Sequence, residues 1–398
     1  MLRRLALGVS SGAMTSSTLG DELSRWLLES ATRQLSLPEL LDALGARLAE
    51  GGIRVERLRT SATTKHPEIF VRAVLWRAGV GIDVVDRARD ITRTSDFLES
   101  PVARVRDGAE RVRCKLFGPD ADFSFALCQE LAAEGLTDYV IYPIVFGSGE
   151  RTYVSFATDA PDGFSEASLA VFAALLPALS VRVELESHRF TLDSLLRVYL
   201  GNNAAERVLA GSFLRGTGQP IEAAVWFCDM RGFTTLADRR PAAEMVTILD
   251  RFFEAVAGPI AQHGGEILKF IGDAVLAIFP VGASGPSAAC ASASAAARVA
   301  LEGVCAIAGK DGLPELEVGI ALHLGEVMYG NIGARNRLDF TVIGAVVNEV
   351  CRVEGLCRSL GPILMTADFA QRCPHRVESR GVHALKGVGE PRELFVPA

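Results

Sequence analysis

Apolar residues near the start of the chain recur at helical spacing. Leu37, Leu40, Leu41, Leu44 and Leu48 share one face, which predicts helices over 21–34 and 37–50. Strand-like runs follow at 53–60 and 69–77, then a polar stretch to about Leu116. A helix over 123–134 precedes two strands, 138–146 and 152–158, joined through Gly147-Ser148-Gly149 as a hairpin. A long helix starts near Ser165, its candidate N-cap, with Ser168 close behind. The amphipathic segment 185–209 continues in helical spacing until Gly201-Asn202-Asn203 interrupts it. A core helix and a signalling connector or dimer seam fit that segment equally well. The expected organisation is therefore a mixed α/β sensor-like domain over 1–184 and a helical linker over 185–219.

After Gly216-Thr217-Gly218 the pattern changes. A short apolar strand over 221–228 runs into a turn at 229–234. A helix over 241–263 stops at Gly264-Gly265, and strands over 266–271 and 274–279 flank Gly272-Asp273. An alanine-rich helix over 287–308 leads to a strand at 316–323. Short strands at 327–331 and 340–343, a helix over 346–360 and a strand pair at 363–365 and 393–396 complete the chain. Strand–helix–hairpin–helix–strand is the order of a ferredoxin-like layer. The fold class expected for 220–398 is α+β, with an antiparallel ferredoxin-like sheet and appended elements.

Composition narrows the function. With 398 residues, 49% hydrophobic and 22% charged, the chain has material for two cores. A formal net charge of -7 argues against a nucleic-acid partner, but not against a nucleotide held by metal ions and a few Lys/Arg. None of the eight cysteines forms a C-x-x-C pair, so a disulfide framework or zinc site is not expected, and free thiols fit a reducing cytosol. Residues 1–12 carry Arg3 and Arg4 but are too short and mixed for a signal peptide, and Met14 is an alternative start. The apolar run 167–183 is broken by Pro177 and Arg182, and 288–307 contains Arg298 and Glu302, so neither reads as a bilayer span. The expectation is a cytoplasmic protein without a membrane partner.

The candidate chemistry lies in the second domain. Asp229 ends a buried strand just before a Gly-containing turn, and Asp273 sits at a hairpin tip behind Gly272. Two carboxylates on different elements suit Mg²⁺, which takes few protein oxygens and completes its shell with phosphate and water. Either Asp alone is as readily a turn residue. The turn Met230–Thr234 offers backbone N–H groups that can cradle phosphate. Lys269 interrupts an apolar strand, so it needs a partner, a ligand or a route to solvent. Asn348 and Arg352 are four apart on one helix face, a donor pair suited to a polyphosphate transition state or simply an exposed pair.

Together these segments resemble the class III adenylate/guanylate cyclases. The strings are WFCDMRGFT, GGEILKFIGDAVLAIF, GIALHLGEVMYGNIG and RLDFTVIGAVVNEVCRVE, with ALKGVGEPRELF near the end. The resemblance implies that Asp229 and Asp273, with Met230 beside them, hold two Mg²⁺ or Mn²⁺ ions per active site. It implies that Gly232, Phe233 and Thr234 receive phosphate and that Lys269 and Thr341 read the purine. Asn348 would orient the ribose and Arg352 would stabilise the transition state, with Lys386 as a further phosphate contact. Thr341 resembles a bacterial subgroup, and Lys269 with Thr341 favours adenine. The implied reaction converts ATP to 3′,5′-cyclic AMP and pyrophosphate in a homodimer whose two sites are shared between protomers. Alternatives are a guanylate cyclase and an inactive cyclase-like dimerisation or binding module. A diguanylate cyclase would carry G-G-[DE]-E-F at the hairpin tip, whereas Gly264-Gly265-Glu266 precedes the strand.

The N-terminal region is similar to GAF-type regulatory domains through GLTDYVIYPIVFGSGERTYVSFATDAPDGFSEASLAVFAAL. That implies a small-molecule or chromophore ligand, with Cys114 or Cys128 as attachment points or His66 as a haem ligand. A buried thiol and a surface-loop histidine are the simpler readings, because no local motif supports attachment.

Overall fold

The computed structural model describes residues 16–310 and 316–398. Residues 1–12 and the alternative start Met14 lie outside the described residues. The chain divides into two compact units, Met1–Leu195 and Leu196–Ala398.

The first unit opens with α1 (Ser16–Leu28) and α2 (Leu37–Glu50). Ser36 and Glu39 form a capping box at the start of α2, and Pro38 occupies its first turn, which explains why the predicted boundary is sharp. Then come β1 (Arg57–Thr63), β2 (Val71–Arg77) and β3 (Gly81–Arg87), followed by short helices α3 (Ser95–Leu98) and α4 (Pro101–Arg106). β4 (Val112–Lys115), α5 (Ala126–Ala133), β5 (Asp138–Val145), β6 (Arg151–Thr158) and α6 (Glu166–Leu200) complete it. The six strands form an antiparallel sheet in the order β3-β2-β1-β6-β5-β4. The stretch expected to be merely polar up to Leu116 therefore holds β3, α3, α4 and β4. β3 is exposed nearly throughout, so it lacks the alternation that marks a half-buried strand.

One sheet face packs on α1, α2 and α6, with Leu40, Leu44, Trp76, Phe156 and Phe172 at its centre. The Phe156 and Phe172 rings stack with centroids 4.0 Å apart. Arg182, the charge that interrupts the apolar run of α6, is fully buried and donates to the carbonyls of Thr32 (3.1 Å) and Leu35 (3.0 Å). It thereby ties α6 to the turn that precedes α2. The opposite face packs on α4 and α5 through Val105, Leu131, Tyr139 and Tyr153.

The second unit runs α7 (Asn202–Leu209), β7 (Gly218–Met230), α8 (Phe233–Ala237), α9 (Ala242–Gln262), β8 (Glu266–Ile271), β9 (Ala274–Pro280) and α10 (Gly285–Ile307). It continues with β10 (Val318–Ala334), β11 (Arg337–Ile343), α11 (Ala345–Glu354), α12 (Cys357–Leu360), β12 (Ile363–Thr366), α13 (Ala367–Ala370), β13 (Val377–His383) and β14 (Arg392–Pro397). The sheet order is β13-β14-β12-β10-β7-β9-β8, with β11 pairing β10. Within it, β10-β7-β9-β8 is the ferredoxin-like core. All pairs are antiparallel except β10 with β12. The two strands expected at 316–323 and 327–331 are one strand, because β10 stays in register with β7 from Val318 to Gly330. The helix expected over 346–360 is two helices separated at Gly355 and Leu356.

β7 is buried on both sides. Ile248, Phe252 and Val256 of α9 and Ala293, Ala297 and Ala300 of α10 cover one face, and Val350 and Val353 of α11 cover the other. The alanines of α10 let it approach closely: a Cβ on Gly303 would meet the Ala255 carbonyl of α9 at 3.3 Å. By length and composition α6 and α10 are apolar enough to cross a membrane. Here α10 is a packed layer on the sheet, and α6 supplies Phe172, Leu175 and Leu179 to the N-terminal core.

Candidate active site

β7 delivers Asp229 at its C-terminal end, in register with Ala274 of β9 and Gly319 of β10. The β8–β9 hairpin turns through Gly272 (φ 65°) and Asp273, immediately before Ala274. A buried strand end and a neighbouring hairpin tip thus converge on one point. Burial, reinforced by the adjacent Asp229 carboxyl, pushes the Asp273 carboxyl up to about 6. Two carboxyls held together without a countercharge are short of positive charge.

Beside them lies a cavity of about 950 Å³ whose wall includes Asp229, Met230, Gly232, Phe233, Thr234 and Asp273. Gly232 adopts φ 73°, the left-handed region, and lets the chain reverse directly from β7 into α8. The Met230 side chain is buried in the core, so a backbone carbonyl is the donor it can offer. Among the described residues no cluster of three or more His, Cys, Asp or Glu makes a closed metal cage. The donor set present, two adjacent carboxylates open to a roomy cavity, fits hard divalent cations that share their shell with phosphate and water.

A second layer supports this point. Arg231 pairs with Glu354 of α11 at 2.8 Å and also donates to the Glu354 carbonyl at 3.2 Å. Burial pushes the Glu354 carboxyl up to about 7 against the opposing pull of Arg231, with Asp229 and Asp273 adding to the rise. The pair lies over Gly319, the register partner of Asp229: a Cβ there would meet the Arg231 guanidinium at 2.0 Å and the Glu354 carboxylate at 2.5 Å. Gly319→Ala is expected to destabilise the protein by about 1–3 kcal/mol through overpacking. Urea unfolding of wild type and variant measures this, and equal midpoints would show that the ion pair moves aside freely.

The remaining sequence candidates lie elsewhere on the unit. Lys269 of β8 forms an ion pair with Asp339 of β11 at 3.0 Å. Thr341 follows two residues after Asp339 and so shares its strand face. Thr341 is buried, and its hydroxyl has no hydrogen-bond partner. Asn348 and Arg352 are exposed on α11 and do not line the Asp229 cavity. Lys386 is exposed between β13 and β14, also outside that wall. Within one chain, the structure brings together Asp229, Met230, Asp273 and the 232–234 turn, and separately Lys269 with the strand of Thr341. It does not join either group to Asn348, Arg352 or Lys386.

Sequence reasoning missed Asp339, the Arg231–Glu354 pair and Arg358, which also lines the cavity. Asp339 was legible by parity, two residues before Thr341. The others needed the tertiary fold. In the first unit, Cys114 and Cys128 are fully buried, and hydrogen bonding to Cys128, then burial, pushes the Cys114 thiol up. The His66 ring accepts from the backbone N–H of Glu68 and of Ile69, both at 3.0 Å, so it holds a turn.

Residues 219–396 match the family model described as the adenylate and guanylate cyclase catalytic domain. This part of the chain is similar to cyclase catalytic domains. A Mycobacterium tuberculosis protein of uncharacterised function is 37% identical over 189 residues, covering 45% of this chain and 34% of its own length. A Mycobacterium bovis protein, likewise uncharacterised, is 42% identical over 159 residues, covering 39% of this chain and 26% of its own. The chain thus spans about a third or less of the length of these relatives. Among solved structures, the adenylyl cyclase CyaB from P. aeruginosa aligns at 25% identity, 46% of this chain, 96% of that chain and TM-score 0.43. The guanylyl cyclase Cya2 aligns at 30% identity, 45% of this chain, 92% of that chain and TM-score 0.37.

Proposed function

We propose that the second unit converts ATP to 3′,5′-cyclic AMP and pyrophosphate in a cytoplasmic homodimer. The observation that carries this reading is the convergence of Asp229 and Asp273 on a cavity walled by the 232–234 turn. Two Mg²⁺ or Mn²⁺ ions held by Asp229, Asp273 and the Met230 carbonyl would supply Lewis-acid stabilisation of phosphate charge. The chain's own part is positioning. The turn's backbone N–H groups receive the phosphate tail, and the buried β7 end fixes the carboxylates. Lys269 donates to the adenine ring nitrogen and the orphan Thr341 hydroxyl accepts from the exocyclic amine. Asp339 holds the Lys269 ammonium in place.

Asn348 and Arg352 are exposed on α11 and absent from the cavity wall, which suits donation to a partner's site. Exposed Phe270, Ile271, Met328 and Ile343 on β8, β10 and β11 offer apolar surface for such pairing. The first unit, as a GAF-like sensor, would regulate the reaction.

The test is incubation of purified full-length protein with Mn²⁺ and either ATP or GTP, followed by quantification of cyclic products. Cyclic AMP in excess supports the reading, cyclic GMP in excess makes the domain a guanylate cyclase, and neither product makes it a binding or dimerisation module. Lys269→Glu is expected to lower ATP turnover at least about tenfold, the worth of a charge-assisted hydrogen bond, and to admit some GTP. Unchanged ATP turnover would remove Lys269 from base recognition.

A further inference from the structure

The N-terminal unit contains a second cavity, of about 570 Å³, between its sheet and the segment carrying α3, α4 and α5. Its floor is unusual for a central strand. β1 lies third in a six-stranded sheet, and its Leu58 and Ala62 point into the large core on one face. Its other face presents Arg57, Arg59, Ser61 and Thr63, and the last three line the cavity. A strand interior made of arginine and hydroxyls sacrifices apolar burial, so stability alone does not explain it.

The arginines of this sheet show what is missing. Arg72 pairs with Asp86 at 2.7 Å, Arg77 pairs with Asp83, and Arg113 pairs with Asp138 at 2.8 Å. By contrast, the Nε atoms of Arg57 and Arg59 are buried with no hydrogen-bond partner. Burial, then the neighbouring charge of Arg59, lowers the Arg57 pKa against a smaller opposing pull from Glu134. Arg151, also on the wall, is already committed to the Val105 carbonyl at 3.0 Å. The carboxylates that line the cavity, Asp96, Glu99 and Glu130, are exposed and sit at its rim. The upper wall carries Phe70, Phe97, Val102 and Leu127; Arg106 also lines it but lies over the Phe97 ring at 5.3 Å, and Arg87 is exposed.

We propose that this cavity is a binding site for a small molecule with a single oxyanion group, a carboxylate or a phosphate, on a compact apolar body. The oxyanion docks on Arg59, and the body lies against Phe70, Phe97 and Leu127. The acidic rim disfavours polyanions, and the volume of about 570 Å³ suits a ligand of up to three rings. A guanidinium that waits unpaired on a sheet floor is costly until an anion arrives. The site is independent of the catalytic reading of the second unit.

Full-length protein is titrated with anilinonaphthalene sulfonate and, separately, with its uncharged counterpart phenylnaphthylamine. The sulfonate is expected to bind at one saturable site and to be displaced by benzoate or phenyl phosphate, the more effective of the two identifying the oxyanion. Arg59→Met is expected to weaken sulfonate binding at least about tenfold, to leave phenylnaphthylamine binding unchanged, and to unfold at no lower temperature than wild type. A purely structural arginine would instead lower the unfolding temperature and leave the preference for the anion intact. Ala73→Leu, which fills the cavity floor, is the second variant and is expected to exclude both probes. Sulfonate binding that survives both substitutions, displacement by benzyl alcohol as effective as by the anions, or no saturable binding would overturn the proposal.

Discussion

Asp229→Ala and Asp273→Ala are each expected to lower cyclisation at least about a thousandfold, because each removes a carboxylate from a divalent-ion site whose contribution to catalysis is several kcal/mol. The fold is expected to survive both changes. Neither residue belongs to the apolar core of the unit, and Asp273 stands half-buried at a hairpin tip. In metal-free buffer the Asp273→Ala variant is expected to melt no lower than wild type, since it removes a carboxyl that burial, and then the adjacent Asp229, push up to about 6. Asp273→Asn, which keeps the shape, guards against a backbone change at the tip. The measurements are cyclic nucleotide formation at saturating Mn²⁺ and thermal unfolding with and without the ion. Activity within tenfold of wild type in either alanine variant would remove the metal assignment. So would equal stabilisation of wild type and variants by Mn²⁺.

Mixing Asp273→Ala chains with Arg352→Ala chains is expected to restore activity that neither shows alone. Within one chain, Asp273 lines the cavity whereas Arg352 is exposed on α11 outside its wall. In a two-fold homodimer, each site would take its carboxylates from one protomer and its Asn348 and Arg352 from the other. A mixed dimer then has one site with both defects and one with neither. Random pairing gives mixed dimers half the time, with half their sites intact, so recovery should reach about a quarter of wild type. Dilution should abolish the recovered activity as the dimer dissociates. No recovery after demonstrated subunit exchange would place Arg352 in the same site as Asp273, or in none.

Much of the second unit was legible because its sequence signals are local. The order of elements from β7 to β10 follows from apolar runs and glycine punctuation, and Asp229 and Asp273 stand where a strand end and a hairpin tip are written in the sequence. Boundaries failed where pairing overrode punctuation. Gly325 looks like a break, yet β10 runs through it, because pairing with β7 continues in register from Val318 to Gly330. β13 was missed because its residues are largely exposed and carry no period.

The sequence by itself determined the ferredoxin-like order of strands and helices in the second unit, and the strand-end and hairpin-tip positions of Asp229 and Asp273. All of these rest on short-range patterning, which propensity and periodicity encode. Only the tertiary structure decided which charges meet. Lys269 finds Asp339 seventy residues away. Arg231 finds Glu354 across Gly319, and Arg182 finds carbonyls near residue 33. The Arg59 Nε finds no hydrogen-bond partner among the described residues. Ion pairing depends on sheet register and helix docking between distant segments, and no local period carries that information.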